Sequence, residues 1–109
     1  MEVADFLCDF CRTPWDGAFP MVEGHHGSLI CGSCLTHAYS EAVARGEGEN
    51  PMAGECTMCL VKRSERAWRS PQFDALICER CIKQSAASLE KDPDANWRRP
   101  EAAAGPGHG

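Results

Sequence analysis

A small α+β fold in two tandem units is what the sequence predicts, and three observations predict it. The first is a shortage of core-forming side chains. Only 17 of the 109 residues are Val, Ile, Leu or Phe, a composition that without another source of cohesion belongs with disordered chains. The second is eight cysteines, at positions 8, 11, 31, 34, 56, 59, 78 and 81, all of them in C-x2-C pairs. The third is repetition. The pairs are separated by 19, 21 and 18 residues, so the chain reads as two copies of C-x2-C-x(18 or 19)-C-x2-C. Leu29-Ile30-Cys31-Gly32-Ser33-Cys34-Leu35 matches Leu76-Ile77-Cys78-Glu79-Arg80-Cys81-Ile82 at an offset of 47, and the first pairs match at 48. Duplication of a short module with one inserted residue between its pairs explains this pattern.

Each unit opens on a C-x2-C knuckle, Cys8 to Cys11 and Cys56 to Cys59. Two thiolates three residues apart can reach one ion when the backbone between them turns tightly, and four complete a closed tetrahedral site with no open position. Next comes a hairpin. In the first unit Phe19-Pro20-Met21-Val22 and Ser28-Leu29-Ile30 flank the turn-forming Glu23-Gly24-His25-His26-Gly27; in the second, Ala67-Trp68-Arg69 and Ala75-Leu76-Ile77 flank Ser70-Pro71-Gln72-Phe73-Asp74. A helix follows, starting within the second pair. Leu35, Ala38, Tyr39, Ala42 and Val43 fall at helical spacing and predict a helix ending near Gly46. Ile82, Ala86 and Leu89 predict one ending near Asp92 before Pro93. A helix N-terminus at the second pair stabilises thiolate charge.

The domain reading is therefore a first four-cysteine finger over 1–46, a linker over 47–55, a second finger over 56–92 and a tail over 93–109. The linker is rich in Gly, Pro and acid, and the tail ends in Ala, Gly and Pro and is expected to be disordered. Within that tail, Trp97 either docks back on a unit or meets a partner. The expected ligands are Cys8, Cys11, Cys31 and Cys34 for one ion and Cys56, Cys59, Cys78 and Cys81 for the other. This sequential pairing is favoured over a cross-braced one because each repeat is self-contained. Two Zn²⁺ per chain are expected; iron in a rubredoxin-like site fits the same four sulfurs. Such a site contributes on the order of 10 kcal/mol or more of folding energy, which is what units this poor in large apolar residues lack.

These residues carry a resemblance. Cys8-Asp9-Phe10-Cys11 and Ile77-Cys78-Glu79-Arg80-Cys81-Ile82 are similar to the knuckle and helix start of the N-terminal C4 zinc-binding domain of the ClpX unfoldase family, over roughly residues 6–46 and 54–92. The resemblance implies a treble-clef zinc finger that dimerises and recognises protein substrates and adaptors. No G-x-x-x-x-G-K-[ST] loop occurs, so the ATPase of that family is absent. Arg12 and Leu60 stand where the family has glycine after the knuckle. A left-handed backbone there costs a non-glycine residue about 1 kcal/mol, so different knuckle turns are expected. A tandem chain can satisfy dimerisation internally, as a pseudo-dimer packed through Leu35, Tyr39 and Val43 against Ile82 and Leu89, or it can form a homodimer.

Composition narrows the function. No apolar run approaches the roughly 18 residues a membrane span needs. The start, Met1-Glu2-Val3-Ala4-Asp5, has no basic region of a signal peptide, so a cytoplasmic, reducing location is expected, where cysteines persist as thiols or metal thiolates. The net charge of −5 disfavours a general phosphate-backbone binder. No catalytic grouping stands out, so the chain is read as non-enzymatic. The first reading is a protein-recognition module, an adaptor or regulator near ATP-dependent proteolysis or chaperone function, with Trp68, Trp97, Phe73 and Phe19 as candidate anchors. Nucleic-acid binding through Lys62, Arg63, Arg66 and Arg69 is the alternative. Thiol redox or metal handling is a weaker one, resting on Cys31-Gly32-Ser33-Cys34. His25 and His26 are read as solvated turn residues; His37 and His108 have no recognisable partner in the sequence.

Overall fold

The computed structural model describes residues 7–14, 20–24, 27–62 and 65–100. It contains two short antiparallel hairpins, each running directly into a helix. Strand β1 (Met21–Glu23) pairs with β2 (Leu29–Cys31), placing Val22 opposite Ile30. Strand β3 (Ala67–Arg69) pairs with β4 (Leu76–Cys78), placing Trp68 opposite Ile77. Helix α1 (Gly32–Ala38) starts at Cys31, and α2 (Glu79–Lys91) starts at Cys78; both cysteines are extended N-cap residues. Helix α2 ends at Asp92, which turns to an extended backbone as the following proline requires. No helix among the described residues is long and apolar enough to cross a membrane.

Two details differ from the sequence reading. The first helix is not α-helical to Gly46: after Ala38 it widens into a π-helical segment, Tyr39–Ala44, before Arg45 and a left-handed Gly46 stop it. Each π turn takes an extra residue, so the apolar stripe slips, and Val43 is only half-buried while Leu35, Tyr39 and Ala42 are buried. The single insertion inferred between the pairs is also the net of two changes. From Cys59 to β3 the second unit is two residues shorter than the first is from Cys11 to β1, and its hairpin loop is one residue longer.

The two units share one core. Phe10, on the first knuckle, stacks on Trp68 of the second hairpin at a centroid distance of 5.9 Å, and the Ser70 hydroxyl donates to the Phe10 carbonyl at 2.6 Å. The reciprocal contact exists. Met58 is Phe10's counterpart on the second knuckle, and its carbonyl lies so close to Gly24 in the first hairpin that a Cβ there would stand 2.6 Å away. Gly24 and Ser70 are themselves counterparts, each closing its hairpin with an N–H, to the Ser28 carbonyl and the Ala75 carbonyl. Helix α2 packs on α1, on the π segment and on β1, while the π segment packs on β3. Ile30, Leu35, Ile77 and Ile82 are fully buried in the common cluster. Gly24→Ala should accordingly push the second knuckle off the first hairpin and cost about 1–3 kcal/mol, measurable by chemical denaturation at fixed metal loading.

Segments outside the repeat also bind the units. Glu49 exchanges two backbone hydrogen bonds with Ala67, extending the edge of the second hairpin, and Arg69 grips the Glu49 carboxylate. That guanidinium holds the Glu49 carboxyl below its ordinary value. Of the tail, residues 93–100 are described. Trp97 docks on the first unit, its indole N–H shared between the Gly32 carbonyl at 3.1 Å and the Thr36 hydroxyl at 3.0 Å. Arg99 lies over the Tyr39 ring and pairs with Glu90, so the tail bridges α1 to α2. Residues 101–109 lie outside the described residues.

Candidate metal centres

The eight cysteines form two groups, Cys8, Cys11, Cys31 and Cys34, and Cys56, Cys59, Cys78 and Cys81, with the sulfurs of each group within 4.8 Å of one another. None is in a disulfide. Four sulfurs about 2.3 Å from a common centre in a regular tetrahedron stand about 3.8 Å apart. The structure matches that spacing: Cys8 to Cys34 is 3.8 Å, Cys11 to Cys31 is 3.7 Å, and Cys59 to Cys78 is 3.9 Å. Each group is thus arranged to hold one metal ion within its own repeat, and no cross-braced group occurs among the described residues. The identity of the metal is left open by an all-sulfur donor set.

Backbone geometry builds the centres. The sulfur of Cys8 accepts N–H bonds from Phe10 and Cys31, and that of Cys56 accepts them from Met58, Cys59 and Cys78. The knuckle is tied to its hairpin in the same way twice. The Asp9 N–H donates to the Leu29 carbonyl and the Leu29 N–H returns to the Asp9 carboxylate; Thr57 and Leu76 repeat the exchange with a hydroxyl. Sequence reasoning missed Asp9 and Thr57. Their only signal is shared position inside C-x2-C, with different side chains that both offer an oxygen.

The electrostatics favour a thiolate at Cys8 and at Cys56. Contacts from Cys31 and Cys34, with backbone N–H donors, hold Cys8 far below the ordinary thiol range; Cys78 and Cys81 do the same for Cys56. Cys34 and Cys81 move the other way: contact with Cys31 and Cys8 in the first group, and with Cys56 and Cys78 in the second, reinforced by burial, penalises a charge there. A divalent cation removes that penalty, so binding displaces the remaining protons. The first residues of each group, Cys8 and Cys56, are fully buried, while Cys11 and Cys59 are half-buried.

The expectation of different knuckle turns is overturned. Arg12 and Leu60 both take the left-handed conformation, with φ of 62° and 63°, and their N–H groups close the same turn onto the carbonyls of Cys8 and Cys56 at 2.7 Å. The same turn accompanies both four-sulfur groups, and a non-glycine residue bears the strain in each. Leu60 is exposed, so Leu60→Gly should raise stability by about 1 kcal/mol, read as an upward shift in thermal midpoint with two metal equivalents retained. Arg12 is less clean because its guanidinium sits 5.3 Å above the Phe73 ring.

Other candidate residues are distributed unevenly. Trp68 is buried at the junction and Trp97 is engaged by α1, so both are structural, a correction to their reading as free anchors. Phe73 is exposed beneath Arg12. In the basic stretch, Arg69 is committed to Glu49 and Asp74, Arg66 is half-buried, and Lys62 is exposed. Phe19, His25, His26, Arg63 and His108 lie outside the described residues. His37 is exposed on α1 and lines a cavity of about 460 Å³ beside the first metal centre. No family model, curated protein or solved structure matches the chain, so the two centres are interpreted from their own geometry.

Proposed function

We propose that the chain is a non-enzymatic zinc-held recognition module: two treble-clef-like fingers, 1–46 and 56–92, joined through 47–55 and packed as an internal pseudo-dimer that presents a surface to a protein partner. The observation that carries this reading is the cavity between the first metal centre and the second hairpin, formed only because the units are packed together. Four sulfurs per centre leave an ion no open position for substrate, which favours a structural role for the metal. The resemblance to the ClpX-type finger supports a partner connected with ATP-dependent proteolysis or chaperone function, met in the cytoplasm as an adaptor or regulator would.

Two measurements test it. Metal analysis of protein purified without added metal should return two zinc equivalents per chain. Panning a random peptide library against the two-metal protein should enrich peptides whose binding shifts backbone amides around the cavity. If no peptide is enriched while a DNA or RNA probe binds with steep salt dependence, the protein-recognition reading is wrong.

A further inference from the structure

The cavity beside the first metal centre has a twin. By the correspondence of the two repeats, Val22, Met58, Gln84 and Ser88 around a cavity of about 320 Å³ at the second centre stand where Trp68, Phe10, His37 and Glu41 stand at the first. The twins have diverged in one direction. Each carries a carboxylate, Glu41 at the first and Glu23 at the second, so they differ in size and apolar lining: the first is larger and has the rings of Phe10 and Trp68 with Pro71, whereas the second has only Val22 and Met58 as large apolar side chains.

Charge decides what the first cavity takes. Glu41 faces it from the π segment, and Cys11, Cys31 and Cys34 line its base. A divalent ion held by four thiolates leaves the centre with a formal charge of about −2. Among the described residues no Lys or Arg lines the cavity; the nearby Arg12 is held over Phe73, and besides Glu41 and the cysteines the titratable group facing it is His37. Pro71 and Trp68 line the same cavity and offer it apolar surface.

We infer that this cavity, and not its twin, receives an arginine side chain of a short basic peptide. The apolar stem lies along Pro71 and Trp68, and the guanidinium meets Glu41 above the thiolate centre. Arginine suits the site better than lysine because its planar, weakly hydrated head tolerates an aromatic neighbour while pairing with a carboxylate. The inference rests on the protein-recognition reading and names the class of partner for it.

The test uses the full chain with two zinc equivalents and three probes, the capped peptides Gly-Leu-Arg-Gly, Gly-Leu-Gln-Gly and Gly-Leu-Glu-Gly, titrated while backbone amide shifts are followed. The arginine peptide should move Ser33, His37 and Gln72 and leave Gln84 and Ser88 in place, and its affinity should fall as salt is raised. Replacing its arginine with glutamine, or Glu41→Gln in the protein, should weaken binding about two- to fivefold, with both metal equivalents retained in the variant. Equal binding of the glutamate peptide, equal shifts at Gln84 and Ser88, or no response to the arginine peptide at any salt would overturn the inference. Failure here with acidic or neutral peptides enriched at the cavity by library panning leaves the recognition reading standing; failure of both, with nucleic acid bound instead, removes both.

Discussion

Cys78→Ser is expected to strip the chain of one of its two metal equivalents and to unfold more than the unit that carries the change. Cys78 has three tasks: its sulfur stands 3.9 Å from that of Cys59, its N–H donates to the Cys56 sulfur, and it ends β4 and begins α2. A hydroxyl is a poor replacement for a thiolate ligand, so with a zinc-like ion the unit is expected to lose on the order of 10 kcal/mol or more of metal-derived folding energy. From the repeat alone, the first unit should largely survive. The structure revises that expectation, because Phe10 packs on Trp68 and its carbonyl is bonded by Ser70, both in the second unit. Loss of the second hairpin therefore uncovers the first knuckle. Metal analysis together with amide shifts for residues 29–44 reads both effects. A variant with one metal bound and an unchanged first-unit spectrum would show instead that the fingers stand independently.

Trp68→Ala should be the most damaging substitution away from the cysteines, costing about 3–5 kcal/mol as large-to-small changes in a packed core do. Trp68 is buried at the point where the units meet. A double-mutant cycle with Phe10→Ala isolates the ring contact, with an expected coupling of about 0.5–1.5 kcal/mol. Val22→Ala, at the half-buried counterpart on β1, should cost clearly less, because the reciprocal junction there is made by Gly24 against the Met58 backbone rather than by stacked rings. Equal losses at the two positions would argue that the junctions are energetically equivalent despite their different side chains.

Much of this architecture was legible before any coordinates. The C-x2-C pairs, the hairpin turns and the helix starts are local signals, because a knuckle, a tight turn and a cap are each specified within a few residues. The sequential grouping of cysteines followed from repetition. The π segment was not legible, since Leu35 to Val43 carries an ordinary α-helical stripe. Neither were the left-handed Arg12 and Leu60: local preference spoke against that turn, yet it recurs at both knuckles, closed by the same N–H bond to the first cysteine's carbonyl. Trp97 could be read either way, because its indole partners, Gly32 and Thr36, lie more than sixty residues earlier in the chain.

The sequence by itself therefore determined the two four-cysteine groups and the order of elements in each unit, and it led to the expectation of a metal, because a chain with 17 large aliphatic or Phe residues has little else to hold it together. Only the tertiary structure decided how the units meet. Aromatic, glycine and serine positions 34 to 60 residues from their partners meet through packing of whole surfaces, and no periodicity along the chain encodes that. The same packing creates two unlike cavities from one repeated motif, placing Glu41 and Trp68 at the first centre and Ser88 and Val22 at the second.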